Sequence, residues 1–286
     1  MFPYPIFFGM SLYDILLAVA VVLALLFADK MAIRCGFSVK LQKVLIISVM
    51  EALVVAFVGA ILSQAVYNAI ETGEFVINQT TGMTFYGGLI FGVIGFLASW
   101  FFLGKAMCKS DEPVLKFGAM ADIAACLVPF AHAIGRLGCY TAGCCHGAET
   151  DAWYGVKMYT ESGWMKVVPV QLYEAIFLFA LSAVLCWFFF EKFEKQKMER
   201  FPLLPIYVFF YAIWRFFIEY ARADDRGATF VEFLSPSQLI AVLMAIGAVV
   251  YFFLWWKWKK EGKLVEHSKA EANVETKENP VETKEE

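Results

Sequence analysis

Charge is scarce in this 286-residue chain: Asp, Glu, Lys and Arg make up 18%, against about a quarter in an ordinary soluble domain. In its place 60% of the residues are hydrophobic and 17% aromatic, with 29 Phe. That balance excludes a soluble globular protein and predicts a polytopic membrane protein with lipid as its solvent. A secreted disulfide framework is missing as well. The seven cysteines (Cys35, Cys108, Cys126, Cys139, Cys144, Cys145 and Cys186) are scattered, and only Cys139, Cys144 and Cys145 cluster. Their C-x4-C-C-H spacing matches no zinc signature, and adjacent Cys144 and Cys145 are poorly placed to chelate one ion together, so neither metal nor cofactor is expected. A net charge of −3 carries no basic excess, and no nucleic-acid partner is expected. No basic n-region or small-residue cleavage site frames the first apolar run, Ile15 to Ala28, and further spans follow, so it reads as a span rather than a signal peptide. The alternating ten-residue segments of a barrel are absent too.

Seven apolar runs of helical length are present, near 11–28, 45–68, 84–104, 118–137, 170–190, 203–221 and 236–257. They predict an all-α bundle of seven transmembrane helices. The fourth run is interrupted by Asp122, Pro129 and His132, and such a broken segment is tolerated only where protein surrounds it. Lysine and arginine sort by loop. Lys30, Arg34, Lys40 and Lys43 follow span one; Lys105, Lys109 and Lys116 follow span three; Lys192, Lys195, Lys197 and Arg200 follow span five; Lys257, Lys259, Lys260 and Lys263 follow span seven. The N-terminus and the loop at 69–83 have none. The positive-inside rule then places the N-terminus outside and the C-terminus in the cytoplasm. Residues 139–168 become the longest outer loop, with Trp153, Tyr154, Tyr159 and Trp164 suited to a small cap on the membrane surface. An integral membrane domain over 1–260 is expected to be followed by a disordered cytoplasmic tail over 261–286. Within that tail, residues 266–286 carry seven Glu against three Lys, about −4 net.

Arg136, Arg215 and Arg222 stand in or at the ends of apolar runs. A guanidinium does not lose its charge in a protein, and burying one costs several kcal/mol unless an acceptor faces it. One reading pairs each with an acid: Asp122 or Glu174 for Arg136, Glu219 for Arg215 or Arg222. The other gives Arg136 and Arg215 a shared anion, which in a bilayer is a lipid phosphate that the planar fork holds bidentately. Gly87, Gly88, Gly135, Gly138, Gly143 and Gly147 serve either close packing or approach of backbone amides to a ligand, whereas Gly92 and Gly95 read as helix packing. Gln171 and Glu174 share a face at the start of span five, as caps or as braces for an arginine. His132 is either a hydrogen-bonded interior group or a catalyst, and Tyr86 an interfacial anchor. The cysteine cluster with His146 leaves a disulfide, plain structure and a reactive thiol open, with a metal site as the least favoured reading.

Taken in order, Tyr86-Gly87-Gly88-Leu89, Gly135-Arg136-Leu137-Gly138 with Gly147, Pro169-x-Gln171-Leu172-Tyr173-Glu174, Arg215-Phe-Phe-Ile-Glu219-Tyr-Ala-Arg222 and Leu234-Ser-Pro-Ser-Gln238 resemble the prolipoprotein diacylglyceryl transferases. The chain is similar to a cysteine-containing variant branch of them. Cys139 stands where the family usually has Asn, Cys144 where it has an acid, Tyr86 and Val168 where it has His. The resemblance implies a seven-span enzyme of the bacterial cytoplasmic membrane with an outward-facing site and no cofactor. It would move the diacylglyceryl group of phosphatidylglycerol to the thiol of a lipobox cysteine in a prolipoprotein, the first step of lipoprotein maturation. It also implies that Arg136 binds the headgroup phosphate and Arg215 the phosphate or developing charge. Gly87, Gly135, Gly138, Gly147, Gln171, Tyr173, Glu174, Glu219 and Arg222 would line or brace the site, and Tyr86, His132 or the leaving phosphate would take the thiol proton. The alternative is a non-catalytic membrane protein that binds an anionic lipid, or a paralogue with a different acceptor.

Overall fold

The computed structural model describes residues 6, 8–78, 81–160, 163–194, 202–222 and 234–261. The expected tail beyond residue 261 and the charges of Lys195, Lys197, Arg200 and Lys263 lie outside them. Seven helices among the described residues are long and apolar enough to cross a membrane. They are α1 (Leu12–Arg34), α2 (Val39–Thr72), α3 (Phe85–Cys108), α5 (Phe117–Ala142), α6 (Val170–Phe188), α7 (Leu203–Ile218) and α8 (Pro236–Lys260), with a single short turn, α4 (Glu112–Leu115), before α5. α2 starts six residues earlier than its apolar run because Ser38 caps it, its side chain accepting from Leu41 N at 3.2 Å.

The described residues divide into two compact units. One contains residues 32–117 and is built on α2 against α3. Its seam is lined with small residues: a Cβ on Gly88 would lie 3.1 Å from the Ala56 carbonyl, one on Gly92 3.0 Å from Ala56 Cβ, and one on Gly95 3.0 Å from Val55. Lipid is as apolar as the helices, so close backbone approach and dispersion, not burial from water, hold this pair. Buried Ser48 adds a bond to Ser99 at 3.0 Å. Gly87 belongs to the same seam, packed on Ser63, with Tyr86 beside it against Phe85. At the end of the unit that carries the lysines, fully buried Glu112 accepts from Ser38 N (2.8 Å) and Ser38 Oγ (2.6 Å), while Lys116 donates to the Cys35 carbonyl (3.0 Å). The buried charges there are paired with fixed hydrogen-bonding groups, as they must be.

The other unit contains the described residues up to 31 and those from 118 to 261. At its centre is α5, the most buried of the seven spans. The expectation of a broken fourth span is corrected here: α5 is continuous through Pro129 and runs on to Ala142, so Arg136, Gly138 and Cys139 are helical. Pro129 leaves the Ala125 carbonyl without its helical donor. At the next carbonyl, Cys126 O, Ser182 of α6 donates a hydroxyl at 2.7 Å and ties the two helices together. Asp122 does not reach for Arg136. It accepts from Leu203 N at 2.9 Å and so holds the start of α7. Phe130 bridges α1 and α6 through Phe27 and Phe179 at ring distances of 6.1 and 5.9 Å.

Sequence reading missed one element. Residues 139–168, expected to be a loop cap, fold partly into an antiparallel hairpin, β1 (Val156–Thr160) and β2 (Gly163–Val167), with Met158 opposite Met165 and Tyr159 opposite Trp164. Met158 and Val167 are buried, while Trp153 and Trp164 are exposed. The alternation of Val156-Lys-Met-Tyr-Thr was the available signal, masked by the aromatic density of the segment.

Candidate active site

Where α5 ends and α6 begins, Glu174 is fully buried and draws three side chains around it. Arg136 of α5 meets its Oε2 through Nε at 3.0 Å. Tyr211 of α7 donates its hydroxyl to Oε1 at 3.2 Å, and His132, one helical turn before Arg136, lies 3.8 Å from the same oxygen. His132 and Tyr211 meet edge to face at 5.4 Å. A carboxylate isolated from water is tolerated only with this kind of pairing. Here each oxygen has its own partner.

A second pair sits on α7. Arg215 contacts Glu219 four residues on, NH1 to Oε2 at 2.6 Å, and donates NH2 to Ser237 Oγ at 2.9 Å. The Leu234-Ser-Pro-Ser-Gln238 motif explains the second contact. Ser235 caps α8 in a reciprocal box with Gln238 and also donates to Glu219 Oε1 at 2.8 Å. One short motif therefore starts a helix and fixes the Arg215–Glu219 pair. The positive charges of Arg136 and Arg215 both act on His132 and on Tyr211, so the two pairs form one electrostatic cluster.

Each guanidinium has a carboxylate of its own, the pairing that one of the two readings of the sequence allowed. The two are not equally engaged. Arg215 spends both terminal nitrogens on Glu219 and Ser237. Arg136 uses only Nε, and no hydrogen bond among the described residues reaches its terminal NH2 groups. The outer fork of Arg136 is thus fixed in direction by Glu174 and left to accept a ligand, the geometry that suits phosphate oxygens.

Gln171, also fully buried, donates to the Cys144 carbonyl at 2.6 Å, while its Oε1 has no hydrogen-bond partner among the described residues. Tyr173 is half-buried, and no hydrogen bond joins it to Glu174. Gly138 carries the ring of Tyr13 from α1, where a Cβ would lie 2.8 Å from Cδ2. A Cβ on Gly135 would make only ordinary contact with Leu17, so packing does not require that glycine.

Gly147 joins three segments. Its N–H donates to the Val168 carbonyl at 2.8 Å, it bridges antiparallel to Arg222, and its Cα faces the Ala221 carbonyl too closely for a Cβ. A Gly147→Ala protein should lose about 1–3 kcal/mol by overpacking and melt earlier, whereas Gly247→Ala, with nothing within 4 Å, should melt no earlier than the parent. Thermal melts in one detergent compare the two.

The three clustered cysteines are free thiols, not a disulfide. The spacing argument against a common focus is corrected as well, since their sulfur atoms lie within 4.8 Å of one another. The turn after α5 brings this about through two left-handed residues, Gly143 (φ 76°) and Cys145 (φ 59°). The Cys145 thiol is pulled down, first by hydrogen bonds from the Cys139 and Cys144 thiols and then by Arg222 and Arg136. The same sharing pushes Cys144 up.

Tyr211, Ser235 and Ser237 were not anticipated. The Ser-x-x-Gln spacing of Ser235 and Gln238 before an apolar run was a capping signal that could have been used, but nothing in the sequence pointed Ser237 at Arg215, and Tyr211 was one aromatic among many. Tyr86 and Gly87 belong to the α2–α3 unit described above.

The prolipoprotein diacylglyceryl transferase family model matches residues 3–255. Among curated relatives, phosphatidylglycerol–prolipoprotein diacylglyceryl transferase 2 of Clostridium perfringens is 34% identical over 176 residues, 60% of this chain and 61% of the relative. The phosphatidylglycerol–prolipoprotein diacylglyceryl transferase of Clostridium tetani is 29% identical over 258 residues, 86% of this chain and 94% of the relative. With the ordered motifs, seven spans and a match covering nearly the whole length, the chain belongs to the prolipoprotein diacylglyceryl transferase family.

Proposed function

We propose that this membrane transferase moves the diacylglyceryl group of phosphatidylglycerol to the thiol of a lipobox cysteine in a prolipoprotein, at the outer side of the bacterial cytoplasmic membrane. The observation that carries the reading is Arg136, aimed by a fully buried Glu174 with its terminal NH2 groups unengaged. Those groups grip the headgroup phosphate. The acceptor sulfur, as thiolate, attacks the glycerol carbon that bears the phosphate ester. A C–S bond forms, the C–O bond breaks, and glycerol phosphate leaves with the electron pair. The thiol proton passes to the departing phosphate, directly or through His132.

The barrier is charge gathering on the leaving group, and fixed guanidiniums stabilise it without reorganising. Arg215, held by Glu219 and Ser237, supplies field from a second side and frees a hydrogen for the phosphate as charge develops. Gln171 Oε1, buried and unpartnered, accepts a hydroxyl of the glycerol headgroup. Tyr173, Gly135 and Arg222 border the entry, and Gly138 and Gly147 set its walls by close packing.

Purified protein given phosphatidylglycerol and a lipobox peptide should release glycerol phosphate in proportion to thioether formed. Phosphatidylglycerol binding without release would favour a non-catalytic lipid-binding protein, and release only with another thiol acceptor would mark a paralogue of different specificity.

A further inference from the structure

We propose that Cys139, Cys144 and Cys145 form a site for one thiophilic metal cation, copper(I) or zinc(II) in class, held by three thiolates at the end of α5. The inference does not rest on the transferase reading. The three sulfur atoms come from two different pieces of chain, the last turn of α5 and the turn that follows it, and they converge to within 4.8 Å of one another. A zinc–sulfur bond of about 2.3 Å sets sulfur–sulfur separations of roughly 3.8 Å in a tetrahedral arrangement, so closure needs side-chain movements of about 1 Å. Soft thiolates select this class of ion over magnesium or calcium.

Two further observations point the same way. Cys145 is a non-glycine residue at φ 59°, and Gly143 two residues earlier is at φ 76°. Backbone strain of this kind persists where a ligand geometry is held. The strain here aims Cys145 at the other two sulfurs instead of letting the chain continue extended. The surrounding charge also fits. Three thiolates with a monovalent or divalent cation remain anionic, and the positive charges of Arg222 and Arg136 act on Cys145. Among the described residues the group stops at three donors, which leaves a trigonal site for copper(I) or an open fourth position for zinc(II). Binding releases the thiol protons to solvent. Occupancy would also pin the turn whose Cys144 carbonyl receives Gln171 at 2.6 Å.

The test uses full-length protein in detergent, reduced and freed of thiol reductant without air. Copper(I) and zinc(II) are each titrated against a competing chromophoric chelator. The expected result is one equivalent of either ion per chain, the two ions competing, with a thiolate-to-copper charge-transfer band. Replacing Cys139, Cys144 and Cys145 with Ser should abolish that equivalent. Replacing Cys35, Cys108 and Cys186 should leave it. The single Cys139→Ser variant should bind at least about tenfold more weakly, which keeps the test decisive should the triple variant fail to fold. Absence of a bound equivalent in the parent protein, or an equivalent kept by folded Cys139→Ser with unchanged affinity, would overturn the proposal.

Discussion

Arg136→Ala should lower glycerol phosphate release by about 10³-fold, the cost of removing a preorganised donor from a site of developing charge, and Arg136→Lys should recover little of it. Lysine brings the charge but not the planar fork. With alanine at 136, Glu174 loses its guanidinium and keeps only Tyr211 and His132. The loss should appear in the rate at saturating lipid as well as in apparent affinity, because the interaction strengthens as the leaving group gains charge. Initial rates over a phosphatidylglycerol series in mixed micelles separate the two. A variant that lost affinity alone would reduce Arg136 to a docking group.

Glu174→Ala should be the most destabilising single change in the cluster. It strands a buried guanidinium, a loss typically worth about 3–5 kcal/mol, and removes the acceptor of the Tyr211 hydroxyl. Melting temperature in detergent should fall well below that of Arg136→Ala, since the latter leaves a carboxylate that protonation can neutralise. The double variant Arg136→Met with Glu174→Met should regain most of that stability, because apolar groups of similar size replace a buried ion pair at little cost. Its lipid transfer should remain abolished. Recovery of stability without recovery of rate would show that the pair is kept for chemistry. A double variant as unstable as Glu174→Ala would instead make the pair a folding element.

Much of the fold was legible because lipid imposes a simple rule: each crossing needs about twenty apolar residues. The seven runs therefore fell on the seven helices. Boundaries moved where local hydrogen bonds decided them. Ser38 began α2 ahead of its apolar run, and α5 continued to Ala142 although its Gly- and Cys-rich end read as loop. The hairpin at 156–167 escaped because five-residue strands beside aromatic residues look like a membrane-surface segment.

At the site, the arginines were conspicuous because charge inside apolar sequence is costly, and pairing of Arg136 with Glu174 was one of the readings their positions allowed. What linear sequence did not carry was the asymmetry between the two pairs. Arg215 is engaged at both terminal nitrogens by Glu219 and Ser237, whereas Arg136 is held by one nitrogen. That difference depends on where α8 starts relative to α7, which is a matter of packing. The convergence of Cys144 with Cys145 depended on a left-handed backbone at Cys145, a conformation that no residue type announces there.

The most direct measurement is an experimental structure of the protein in bilayers of phosphatidylglycerol. A lipid phosphate within hydrogen-bond distance of the Arg136 terminal nitrogens, with Arg136 Nε still on Glu174, is the expected result. Headgroups found elsewhere, with the Arg136 fork turned into protein, would contradict it.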